Sequence, residues 1–175
     1  MVALTTMAPT TAAPTTSAAP TTTTEAPYDG RFTEEELEII EAYLDAQEAY
    51  NLALIEPSEA ALNRLRETHT ADAAGIRVGH VSDFHENSRG EWPAGTRPAA
   101  RFYGKGRDGD QLDLLVCLLD DLIVTDATSG EVTNSASIPL FARVAMLQVD
   151  GVWRLAQSLE TQGEVGEPCG DNWAG

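Results

Sequence analysis

The dipeptide Asp150-Gly151 lies between two long apolar-rich runs, 138–149 and 152–159. Asp-Gly at that position specifies a tight turn in which both residues take positive φ, so the two runs must pair as an antiparallel hairpin. That hairpin commits the C-terminal half to an antiparallel sheet. Gln111–Leu119 fits the same sheet, because Leu112, Leu114, Val116 and Leu118 alternate onto one face. Ala99–Tyr103 and Leu122–Asp126 read as shorter strands. Gly104–Asp110, Asp120-Asp121 and Ser129-Gly130 read as turns.

The strands are preceded by helices. Thr33 and Glu36 have capping-box spacing, with Phe32 and Leu37 placed to staple across the first turn. Glu34, Glu35 and Glu36 put negative charge at the positive end of the helix dipole. Leu37, Ile40, Leu44 and Gln47 then recur at helical spacing, which predicts a long amphipathic helix over 33–55. Pro57 ends it and Ser58 caps a second helix, whose stripe runs through Ala61, Leu62, Leu65 and His69 and stops before Gly75. Residues 76–98 read as irregular, being punctuated by Gly79, Gly90, Pro93, Gly95 and Pro98. Helices first and hairpins after define an α+β fold: N-terminal helices packed on one face of a curved antiparallel β-sheet.

The domain occupies 30–175 of the 175 residues, and 1–29 stand apart. Thr, Ala and Pro supply 21 of the first 27 residues. Such a stretch buries too little apolar surface to offset its ordering entropy, so a disordered stalk is expected, of the kind common in exported proteins. It contains neither a basic nor a long apolar region and is not itself a signal peptide. The expectation is an extracytoplasmic protein whose export signal precedes Met1. Eleven basic against 28 acidic residues give a formal charge of −17, which disfavours nucleic acid and anionic membranes as partners. No apolar run is long enough to span a bilayer.

The helix-first order, the closing hairpin and Gly151-Val152-Trp153-Arg154-Leu155 resemble the nuclear transport factor 2-like superfamily, with its cystatin-like cone. Asp120-Asp121 and Asp126-Ala127-Thr128-Ser129-Gly130-Glu131, with Cys117 and Cys169, resemble a subgroup of small exported bacterial proteins within it. The resemblance covers roughly 30–169. It implies a deep pocket between sheet and helices, used by some members for isomerase, dehydratase or cyclase chemistry and by others only to bind. Homodimers through the outer sheet face are common there.

Two cysteines beside a stalk favour one disulfide, Cys117–Cys169, over two unpaired thiols. Tyr43, Gln47, Tyr50 and Trp153 are the candidate pocket residues. Asp113, on the strand face opposite the purely apolar one, is a general base if that face lines the cone and a solvated carboxylate otherwise. His80, Asp83 and His85 are the only dense set of metal-ligand types, and solvated loop residues are the favoured reading of them over a metal site. Gly104-Lys105-Gly106 lacks the ending of a phosphate loop, no Gly-x-Ser-x-Gly occurs, and no cofactor is implied. Two functions are therefore weighed. One is a non-catalytic exported domain holding a small apolar ligand or an envelope partner. The other is a pocket enzyme of the isomerase type using Asp113.

Overall fold

The computed structural model describes residues 32–93 and 95–162. Three helices come first: α1 Glu34–Ile55, α2 Glu59–Thr68 and α3 Ala71–Asn87. Seven strands follow: β1 Ser88–Glu91, β2 Ala100–Asp108, β3 Gln111–Asp120, β4 Ile123–Asp126, β5 Val132–Asn134, β6 Ile138–Val149 and β7 Val152–Gln162. All strand pairs are antiparallel and form two sheets, β2-β3-β6-β7 and β1-β4-β5. The α+β class is as the sequence implies. Residues 1–29 and Cys169 lie outside the described residues.

The capping box at Thr33 and Glu36 is formed in both directions, and the helix it starts runs 22 residues. The first half of α1 drives Ile39, Ile40, Tyr43 and Leu44 onto Leu112, Leu114 and Val116 of β3 and Val144 and Met146 of β6. The second half packs Tyr50, Ala53 and Leu54 against Leu65 of α2 and Ala74 and Val81 of α3. Asp150 and Gly151 both have positive φ (52° and 78°), as the hairpin requires.

Three expectations are corrected. The second helix stops at Thr68, not near Gly75, and Thr70 caps a new helix by accepting from Ala73 N at 3.4 Å. Residues 76–98 are not irregular throughout, because α3 continues to Asn87 and β1 follows it. Gly75 and Gly79 mimic stop signals, yet both occupy the exposed side of α3, while Ala73, Ala74 and Val81 bury the other side. Two mid-helix glycines cost about 1 kcal/mol each, and packing against α1 outweighs that cost. Finally, Gly104–Asp108 belong to β2, with a bulge between Phe102 and Gly104. A Cβ on Gly104 would stand 3.2 Å from Leu115 Cδ1, so the glycine serves close strand approach there. The turn itself is confined to Gly109-Asp110, with Gly109 at φ 59°.

Candidate functional site

The sheet and α1 close tightly at the β6–β7 hairpin end and separate at the other. In that opening lies a pocket of about 190 Å³. Leu54, Leu118, Leu122, Leu140 and Trp92 form its apolar walls, and Gln47, Tyr50, Arg77, His80, Asp120 and Glu160 bring polar atoms into it.

Strand parity accounts for two of those polar groups. Asp120 continues the inward stripe Leu112, Leu114, Val116 and Leu118, so the last inward residue of β3 is a carboxylate at the mouth. On β7 a bulge falls at Ala156, because Met146 pairs with Leu155 while Ala145 pairs with Gln157. The extra residue exchanges the faces beyond it. Ser158 and Glu160 thereby oppose buried Val144 and Ala142, and Leu159 is left 56% exposed outside.

The groups are tied to one another. Arg77 Nη2 donates to Glu160 Oε1 at 3.1 Å, and Ser158 Oγ donates to the same oxygen at 3.0 Å. The Arg77 guanidinium lies 4.2 Å from the centroid of the Tyr50 ring. Tyr50 OH is hydrogen-bonded to His80 Nδ1, with the two rings stacked. Asp120 Oδ1 accepts from Leu122 N at 3.0 Å. Burial raises the Tyr50 pKa against the opposing pull of Arg77, so its hydroxyl stays protonated at neutral pH. Burial also raises the Asp120 carboxyl, with the Leu122 N–H working the other way. Burial opposes the charge on Arg77, but Glu160 and Tyr50 outweigh it and its pKa rises.

Gln47 differs from these. It is 5% exposed; its Nε2 makes no hydrogen bond of full geometry among the described residues, and its amide interacts with the Tyr43 hydroxyl. Tyr43, one turn earlier, is fully buried and makes an edge-to-face contact with Phe102 at 5.9 Å, and its hydroxyl interacts with the Gln47 amide without reaching full hydrogen-bond geometry. Buried donors in that state cost about 1–3 kcal/mol each.

Gln47 and Tyr50 therefore line the pocket, Tyr43 lies in the core one turn below, and Trp153 packs on the core near the closed hairpin, away from the opening. Asp113 stands on the outer face of β3. It accepts from Gln111 Nε2 at 2.7 Å and from Arg143 Nη2 at 3.2 Å, and it lines no part of the pocket. The inward face of β3 carries the leucine stripe and ends in Asp120, so Asp120 is the carboxylate that this strand brings to the pocket, beside Glu160 of β7.

His80, Asp83 and His85 lie on α3 and do not converge. Positions 80 and 85 are roughly 140° apart around a helix. Among the described residues no three His, Cys, Asp or Glu side chains gather as a metal site. Cys117 is fully buried on β3. Arg77, Asp120 and Glu160 were not singled out from the sequence. For Asp120 the signal was its parity with the leucine stripe, whereas Glu160 depends on a bulge that the pattern does not reveal.

The fold and pocket define a helix-covered antiparallel sheet, open at one end. No protein-family model and no curated protein matches the chain. Among solved structures it is similar to the intermembrane space region of the chloroplast protein ARC6, with a TM-score of 0.60 and 12% identity over 76% of this chain and 99% of that one. An NTF-2 like protein of unknown function from Silicibacter pomeroyi superposes with a TM-score of 0.39, at 16% identity over 75% of this chain and 100% of that one. The likeness to the ARC6 region is one of fold.

Proposed function

We propose that this chain is a ligand-binding domain of nuclear transport factor 2-like type, exported and carried on a flexible stalk. Its pocket holds a small molecule with an apolar body and a hydrogen-bond acceptor at its buried end. The observation that carries this reading is Gln47: a buried amide at the pocket wall whose two N–H donors have only the Tyr43 hydroxyl between them among the described residues. A carbonyl or ether oxygen of a ligand satisfies it, and the leucine walls cover the rest. The Arg77–Glu160 pair and the Tyr50–His80 bond occupy their own partners and shape the rim.

The Thr/Ala/Pro composition of residues 1–29 supports the stalk. The ARC6 region of like fold belongs to an intermembrane space, which is compatible with an extracytoplasmic setting for this domain. A Cys117–Cys169 disulfide fits that compartment. An envelope protein at the mouth, or a second copy on the outer sheet face, is the partner in the non-ligand form of the reading. No helix among the described residues is long and apolar enough to cross a membrane.

A second reading has its own observation. Asp120 lies in the pocket with its pKa raised by burial, the property a general base requires. In an isomerase or dehydratase it replaces Asp113 in that role, with Tyr50 and His80 beside it.

Native mass spectrometry of the full chain, isolated from its own source, tests both. A mass increment that dissociates as a small molecule, and is lost in Gln47→Leu, supports the binding reading. A bare mass for the unaltered chain overturns it. If the ligand is found converted, and Asp120→Asn binds it without conversion, the enzyme reading replaces it. A mass two hydrogens short of the sequence supports the disulfide.

A further inference from the structure

The geometry points to a second binding site, in the groove between α3 and β7, for a compact aliphatic alcohol whose hydroxyl donates to His69 Nε2. The groove encloses about 360 Å³ and is distinct from the pocket at the open end, although Arg77, His80 and Glu160 form a wall common to both. Its apolar surface comes from Ala73, Leu155, Ala156 and the exposed side chains Ile76 (74%) and Leu159 (56%).

His69 caps the C-terminus of α2 and is 1% exposed. The junction is held rigidly, because His69 bridges Leu155 and Thr70 N donates to Leu155 O at 2.9 Å. His69 Nδ1 lies 3.0 Å from Leu65 O, and a carbonyl oxygen only accepts. The proton is therefore on Nδ1, since the other tautomer would set two lone pairs against each other. Thr68 Oγ1, 3.0 Å from the same nitrogen, has its own proton directed to Arg64 O or Leu65 O.

Burial first, and the Arg77 charge second, lower the His69 pKa to about 4, so the ring is neutral at physiological pH. A neutral ring protonated at Nδ1 has a lone pair at Nε2. That atom is buried in a residue that lines the groove, and it has no partner among the described residues. It requires a donor. An anion is excluded by lone-pair repulsion, and a cationic donor is opposed by Arg77, already paired with Glu160. A neutral hydroxyl remains, and the five apolar side chains fit an aliphatic body.

The test is a titration of the full chain with cyclohexanol, followed by the long-range nitrogen-15 correlation of the His69 ring. Cyclohexyl methyl ether has the same ring without a donor and serves as the control. The expected result is a free-acceptor signal at Nε2 that moves saturably toward the hydrogen-bonded value with the alcohol and stays fixed with the ether. His69→Phe should weaken cyclohexanol binding roughly tenfold, the equivalent of one good hydrogen bond. Ile76→Asp, which leaves the ring in place, should also weaken it. A proton found on Nε2, a response equal for alcohol and ether, or no response to either overturns the proposal.

Discussion

One helix serves two unlike ends of this molecule. Over its first half the buried face of α1 meets apolar side chains of the sheet, and that end is closed. Over its second half it meets α2, α3 and a ring of polar groups, and that end stays open. Tyr43 and Gln47 mark the change within one helical turn. Apolar faces interdigitate until no space remains. Arg77, Glu160, Asp120 and Gln47 need partners at hydrogen-bond distance, and they hold the walls apart where side chains alone do not supply them all. A pocket here follows from where the apolar stripe of each element runs out.

The strongest way to break the comparison is at the closed end. Leu114 is fully buried between α1 and β6, and Leu114→Ala should cost about 2–5 kcal/mol in urea unfolding. Tyr50→Phe, at the open end, should cost about 1 kcal/mol or less. Equal losses would mean that the two ends are packed alike.

Acid tests the polar side next. The unfolded His69 titrates near 6.5 and the folded one near 4, so the unfolded chain takes up the proton first as pH falls. The stabilisation is complete above pH 6.5 and is lost on the way down to pH 4, by about 3 kcal/mol. Unfolding curves at intervals through that window should show the slope, and His69→Phe should flatten it.

A smaller effect of opposite sign is expected at Gln47. Gln47→Leu removes a buried donor that lacks a full partner and should raise the unfolding free energy by about 1 kcal/mol while abolishing ligand binding. Loss of stability instead would show the amide to be satisfied. The smallest effect belongs to the segment that crosses α1. Arg97 pairs with Glu41, with Asp45 at 3.2 Å and with Glu48 at 3.6 Å, all substantially exposed. Arg97→Ala should cost less than about 1 kcal/mol in thermal melts, and the difference should shrink in high salt.

The closed end was legible in the sequence and the open end only in part. Thr33, Glu36, the leucine stripe of β3 and Asp150-Gly151 are local patterns, each sufficient to set its own element. The helix α3 was hidden because Gly75 and Gly79 imitate an ending, and only packing of Ala74 and Val81 against α1 reveals the other face. The strand β1 owes its form to β4, where Ser88 pairs with Asp126 across a separation no local pattern encodes. In the pocket, Gln47 and Tyr50 followed from the helical repeat. His80 drew notice as a metal ligand but stands as the partner of Tyr50. Asp113 and Asp120 differ in parity along one strand, and that parity decides which of them lines the pocket.

The start of α1 is fastened to the β2–β3 hairpin, where Arg107 holds Glu35 through two bonds of 2.9 and 3.0 Å and Lys105 holds Glu36. The pocket is lined by Gln47 to Leu54 in the second half of that helix, roughly 18–28 Å away. The domain thus has a compass. The described chain enters at the sealed pole, at Phe32, and leaves beside the mouth, where Gln162 pairs with the pocket residue Leu140.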